Sequence, residues 1–336
     1  MKKLILIYVF LLISYFLYMY DYHFNESHLS HIEKIQRESQ EGISEKYVMV
    51  TFQSGIDYWK GSLKGFEDAA QKLNVSVEYR GATQHDIHEQ ITVMEQVIAK
   101  KPAGIAISAI DPDALSNTFE KAKDVGIPIV LFDSGAPSDN VSSFLGTDNY
   151  KAGIAAAQKL VELMGGTGKV AVITSPNQLN HQERTKGFLD TIKKTAGIEV
   201  IAVKDGKGDQ FVSSKVAMDL LKKHPDLKGI FATEANGGVG VGEAVGLLKR
   251  NQKVKIVSFD TDKPTLDLIK DGTISATLAQ GTWRMGFWSL LFLFELQHKN
   301  SPIIKREFSD QPQMTSYVDT GISIVTKENV ENYYAK

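Results

Sequence analysis

Short, continuously apolar runs alternate with segments whose apolar residues recur every three or four positions, and this rhythm constrains the fold more than any other feature of the chain. Tyr47–Phe52, Val75–Tyr79, Gly104–Ser108 and Ile127–Phe132 read as strands. Between the first two, Trp59, Leu63, Phe66, Ala70 and Leu73 keep to one face of a helix. Ile87, Ile91, Met94 and Ile98 mark the next helix, and Leu115, Ala122 and Val125 a third. The rhythm restarts with strands at Lys169–Thr174, Val200–Val203, Gly229–Thr233, Lys255–Phe259 and Ser275–Ala279. Helices are expected among them at Ala152–Met164, Glu183–Lys194, Val212–Lys223, Val239–Arg250 and Thr265–Lys270. Strands without polar alternation are buried on both faces, which requires parallel sheets covered by helices. The expected fold is therefore α/β, two doubly wound parallel-sheet lobes. Ligands of such sheets bind beyond the carboxyl ends of the strands, so a cleft between facing lobes is the expected site.

The 336 residues suit two domains, and 43% hydrophobic with 23% charged residues is an ordinary globular balance. A net charge of -2, with basic and acidic residues interleaved, gives nucleic acid nothing to bind. Cysteine is absent, which excludes disulfides, thiolate metal sites, thiol catalysis and Cys-linked lipid anchors.

Lys2 and Lys3 precede an uncharged run from Leu4 to Tyr20, about 17 residues and just enough to span a bilayer. Tyr18, Met19 and Tyr20 are too bulky for the usual signal-peptidase site, and Tyr15, Tyr18, Tyr20 and Tyr22 suit an interfacial aromatic belt. Residues 1–20 are expected to be a retained transmembrane anchor and 21–45 a polar spacer. The protein is then expected in the cell membrane, single-pass, with its bulk extracytoplasmic.

Several motifs do not carry chemistry. Gly165-Gly166-Thr167-Gly168-Lys169 lacks the Ser or Thr of a phosphate loop, because Val170 follows, and reads as a turn between helix and strand. Gly238, Gly240, Gly242 and Gly246 miss both dinucleotide-binding registers and read as close packing of a helix start. His85 and His88, like His28 and His31, lack a third metal ligand at a workable spacing. No nucleophile elbow occurs, and neither an enzyme activity nor a cofactor is expected.

What remains is a set of polar and aromatic residues at strand ends. Tyr58 and Trp59 follow the first strand, and Asp133 follows Ile127–Phe132. Arg184 is expected to open a helix; Glu234 and Asn236 follow Gly229–Thr233. Asp260 follows Ile256–Phe259, and Gln280 closes Ser275–Ala279. Ionised carboxylates only accept, Arg only donates, and Gln or Asn does both, so this mixture satisfies hydroxyl groups, while aromatic faces suit sugar C–H patches. Helix N-capping by Asp133, Asp260 and Glu234, with Tyr58 and Trp59 in the core, is the competing structural explanation.

From about Lys46 to Thr326 the chain resembles the ribose- and xylose-type periplasmic sugar-binding proteins, often called type 1. The resemblance rests on Tyr58-Trp59 with Gly65 through Leu73, on Gly126 through Asp133, on Glu183-Arg184 with Gly187-Phe188, and on Ser258-Phe259-Asp260 with Ile269, Gly272, Ala276, Thr277 and Gln280. It implies that Tyr58, Trp59, Asp133, Arg184, Glu234, Asn236, Asp260 and Gln280 line a sugar cleft. It also implies interleaved lobes, 46–147 plus 281–318 and 148–280 plus 319–336, joined by a three-crossing hinge that closes on ligand. Ser134, Glu234, Gly208 and Ile56 depart from the ribose pattern, which turns the expectation to another pentose such as D-xylose. Two partners compete: a membrane sensor histidine kinase, favoured by a retained span, and the permease of an ABC sugar importer. A furanosyl signalling molecule is a further candidate ligand.

Overall fold

The structure is a computed structural model that describes residues 45–334 apart from 136–138, 252, 300–311 and 313, together with Tyr15. Apart from Tyr15 and Glu45, the expected anchor and spacer, with His28 and His31, lie outside the described residues. Among the described residues no helix is long and apolar enough to cross a membrane.

Two six-stranded sheets form the frame. The first contains β1 (Lys46–Thr51), β2 (Ser76–Gly81), β3 (Gly104–Ile107), β4 (Ile129–Phe132), β5 (Ser143–Gly146) and β11 (Tyr317–Asp319), in the order β11-β5-β4-β3-β1-β2. The second contains β6 (Gly168–Thr174), β7 (Ile198–Asp205), β8 (Leu227–Ala232), β9 (Lys255–Phe259), β10 (Ala276–Gln280) and β12 (Ile322–Val325), in the order β12-β10-β9-β8-β6-β7. Every pairing is parallel except that of β12, which runs antiparallel to β10.

Alternation along the strands builds a core on each face. In β1, Tyr47 and Met49 pack under α1 (Lys60–Leu73) and α9 (Thr282–Gln297), whereas Val48 and Val50 face α2 (Ile87–Ala99) and α3 (Ser116–Asp124). In β6, Val170 and Val172 meet α4 (Asn149–Leu163) and α5 (Leu179–Ile192). Ala171 and Ile173 of the same strand join the core under α6 (Gln210–Lys223), α7 (Ala235–Leu247) and α8 (Lys263–Asp271). This double burial is what the apolar runs encode.

Several boundaries differ from the sequence expectation. β4 begins at Ile129 rather than Ile127, because Pro128 brings no N–H to the ladder. α5 begins at Leu179, so Arg184 sits in its second turn instead of opening it. α7 begins at Ala235 and draws in the glycines: a Cβ on Gly238 would stand 1.8 Å from Ser258 Oγ, and one on Gly240 2.3 Å from the Gln210 carbonyl. Val125 lies outside α3 and is 53% exposed, so it is no part of the helix's apolar face. Gly165 and Gly166 take positive φ between α4 and β6, the turn expected there.

The chain passes between the sheets near Thr147, Gly281 and Thr320, and hydrogen bonds tie these passages together. Thr320 N donates to Gly146 O at 2.9 Å, Gly281 N to Gly321 O at 3.0 Å and Asp148 N to Asp319 Oδ1 at 3.2 Å.

Candidate functional site

Both sheets end in an aspartate held in the left-handed region. Asp133 follows β4 with φ 61° and Asp260 follows β9 with φ 67°. Each backbone N–H reaches across to the adjacent strand, Asp133 to Leu145 O at 2.9 Å and Asp260 to Leu278 O at 2.8 Å. A non-glycine residue in this region costs energy, and such strain concentrates at functional sites. Neither aspartate is a helix N-cap, so that structural explanation does not account for them.

A single hydrogen-bonded chain connects the two. Tyr58, placed by the short 3-10 turn Asp57–Trp59, donates its phenol to Asp133 Oδ1. Gln280 Nε2 donates to Tyr58 Oη at 3.0 Å and to Asp260 Oδ1 at 2.7 Å, using both amide hydrogens. Its Oε1 accepts from Thr147 Oγ1 at 2.7 Å. Ser108 Oγ donates to Asp133 Oδ2 at 3.3 Å. Gln280 stands at one passage between the sheets and Thr147 at another, so the chain runs from one lobe to the other.

Arg184 is the cation of the site and is 3% exposed. Its Nε donates to Asn149 Oδ1 at 2.8 Å and its Nη1 to Thr233 O at 2.8 Å, while the guanidinium lies 3.6 Å from the centre of the Phe259 ring. That placement depends on two glycines. A Cβ on Gly153 would come within 2.0 Å of Arg184 O, and one on Gly187 within 2.0 Å of Tyr150 O, so α4 and α5 touch backbone to backbone. Behind Thr233, the buried His181 shares a 2.8 Å hydrogen bond between Nδ1 and Thr233 Oγ1.

Burial dominates the electrostatics. It raises the Asp133 carboxyl to about 6, against the Tyr58 hydrogen bond; the charge of Asp260 adds to the rise and Arg184 opposes it. Burial likewise raises Asp260, with Arg184 and the Gln280 hydrogen bond pulling it down. Tyr58 is held well above the usual phenol range by burial and then by Asp133 and Asp260. Burial, then Arg184, pushes His181 down to about 3, so it is neutral.

Tyr58, Asp133, Asp260 and Gln280 are thus brought together by contact, with the charge of Arg184 acting on both aspartates. The remaining candidates are placed differently. Trp59 is fully buried in the first lobe's core, edge-on to Phe52, Tyr58 and Phe132, and its indole N–H donates to Gln53 O at 2.7 Å. Its ring supports Tyr58 from behind. Glu234 caps α7, its carboxylate accepting from Gly237 N at 2.9 Å; burial raises it to about 7, opposed by that N–H. Asn236 is exposed and donates to Gly208 O at 3.1 Å, apart from the cluster. Sequence reading missed Ser108, Thr147, Asn149 and Thr233. Ser108 had the same signal as Asp133, a polar residue closing an apolar strand.

The arrangement offers two acceptor carboxylates, one cation and several groups that both donate and accept. It binds hydroxyls.

Comparison with known proteins agrees. Residues 47–300 match the family described as periplasmic binding protein domain, and the chain belongs to that family. The sugar-binding protein of a Bacillus halodurans sugar ABC transporter is 62% identical and superposes with a TM-score of 0.81, covering 86% of this chain and 100% of that one. The arabinose-binding protein AraP of Geobacillus stearothermophilus is also 62% identical, with a TM-score of 0.80 over 87% of this chain and 100% of that one. The ribose import binding protein of Bacillus subtilis (strain 168) is 30% identical over 218 residues, 65% of this chain and 70% of that protein. The chain is a type 1 periplasmic sugar-binding protein, not an enzyme.

Proposed function

We propose that this family member is an extracytoplasmic receptor that closes on a pentose and passes the closed state to a membrane sensor histidine kinase. The observation that carries the sugar reading is the chain Asp133–Tyr58–Gln280–Asp260 with Arg184 beside it: donors and acceptors from both lobes converge on one place. Charged hydrogen bonds of this kind contribute roughly 1.5–3 kcal/mol each. The sequence departures from the ribose pattern put D-xylose first, and the likeness to an arabinose-binding protein moves arabinose ahead of it. Signalling rests on the uncharged run from Leu4 to Tyr20, which suits a receptor fixed beside its partner rather than one released to shuttle. Importer delivery is the second reading, favoured by the likeness to the sugar-binding protein of a Bacillus halodurans ABC transporter.

Calorimetry against L-arabinose, D-arabinose, D-xylose, D-ribose and hexoses tests the ligand. Micromolar or tighter binding of a pentose, with the sugar recovered unchanged, is expected; preference for a hexose overturns the pentose assignment. Sugar-dependent co-purification with a kinase ectodomain supports sensing. Capture of an importer permease in its place supports delivery, and cleavage after Tyr20 in the mature protein removes the anchor.

A further inference from the structure

Ser175 sits where the row of cleft residues continues across the second lobe. Ile173 of β6 is in register with Ala232 of β8, so Ser175 lies in line with Glu234. Phe231 of β8 is in register with Val257 of β9, which places Glu234 in line with Asp260. Ser175 directly follows the carboxyl end of β6, as Asp260 directly follows that of β9. Only 6% of it is exposed, and its Oγ has no hydrogen-bond partner among the described residues. A buried hydroxyl left unpaired is costly, so such groups are rare without a purpose.

Beside it, the tip of the β7–α6 loop provides room. Gly208 takes φ +65°, and among the described residues, apart from its chain neighbours, the only atom within 4 Å of where its Cβ would stand is Ser175 Oγ, at 3.7 Å. Asn236 holds this loop by donating to Gly208 O. The exposed Asn236 thus helps to fix the position of the glycine.

We infer that Ser175 is a further specificity-determining residue of the cleft, its hydroxyl bonding the ring substituent of the sugar that lies farthest from Gln280. This rests on the sugar-binding reading above. The dimensions agree: two strand spacings separate the Ser175 and Asp260 positions, roughly 10 Å. A sugar ring about 5 Å across with a hydrogen bond of about 2.8 Å at each end covers the same span. A serine hydroxyl both donates and accepts, so it takes a sugar hydroxyl in either sense. Substituents larger than hydroxyl would have to enter the gap over Gly208.

The test is calorimetry on the full chain with whichever of L-arabinose, D-xylose and D-ribose binds tightest, and with its monodeoxy analogues. Ser175→Ala is expected to weaken the parent sugar roughly fivefold to tenfold, the factor for a neutral hydrogen bond. One monodeoxy analogue should bind wild type that much more weakly while making no distinction between wild type and Ser175→Ala. Gly208→Asn, tolerable at positive φ, should weaken binding by filling the gap. A Ser175→Ala isotherm superimposable on wild type sinks the Ser175 assignment and leaves sugar binding standing. Wild type that retains no monosaccharide sinks the sugar reading, and this inference with it.

Discussion

Asp133 and Asp260 stand at the same place in two sheets, yet different chemistry answers them. Both take left-handed backbone and both donate N–H to the neighbouring strand. Around Asp133 the donors are neutral, the Tyr58 phenol and the Ser108 hydroxyl. Around Asp260 the donor is the Gln280 amide, and Arg184 is the first charge to act on it. The helix pairs behind repeat this likeness and difference. α1 and α9 meet through Gly65 and Gly286 as α4 and α5 meet through Gly153 and Gly187. The first pair encloses Phe66, Phe292 and Phe294; the second encloses Ala152, Ala156 and Ala157 and carries Arg184. One lobe contributes apolar bulk and a phenol, the other the cation.

The comparison predicts unequal costs of mutation. Arg184→Ala should lower sugar affinity about a hundredfold, close to 3 kcal/mol, because it leaves buried carboxylates without their cation. Asp260→Ala should follow at about thirtyfold and Asp133→Ala at about tenfold, since neutral donors give up less. Titration calorimetry decides the order. Asp133→Ala costing as much as Asp260→Ala would erase the asymmetry.

The lobes also differ in their response to pH. His181 is pushed from 6.5 to about 3, so the unfolded chain takes up its proton first and stability falls as pH drops from 6.5 toward 3. Relative to His181→Asn, wild type should lose at least about 2 kcal/mol across that window. Asp133 is raised from 3.8 to about 6, so it has the opposite sign: the folded state holds the proton longer, and stability falls as pH rises from 4 to 6. Relative to Asp133→Asn, wild type should lose on the order of 1–2 kcal/mol over that rise. Denaturant melts at a series of pH values read both slopes. A flat difference curve for either variant would show that burial does not hold that group's proton as described.

The strands were legible because double burial leaves long apolar runs, as in Ile105–Ile107 and Ile230–Ala232. α9 was not, since Leu290, Leu291, Phe292, Leu293 and Phe294 are all buried and no polar stripe reveals a helical period. β5, β11 and β12 are three or four residues long, too short to alternate. In the site, side chains closing strands could be read in order, and Tyr58, Asp133, Asp260 and Gln280 meet. Trp59 also packs in the core and Glu234 also caps a helix, uses of these residue types that spacing alone does not reveal, while the charges of Asp260 and Arg184 reach Glu234. Asn149 was hidden because it follows the strand that left no pattern.

A crystal structure of the protein grown with arabinose shows directly whether both lobes grip one sugar. A sugar ring is expected within hydrogen-bonding distance of both Asp133 and Asp260, with Arg184 against one of its hydroxyls. Sugar bound elsewhere, or a ring held by one lobe alone, would contradict it.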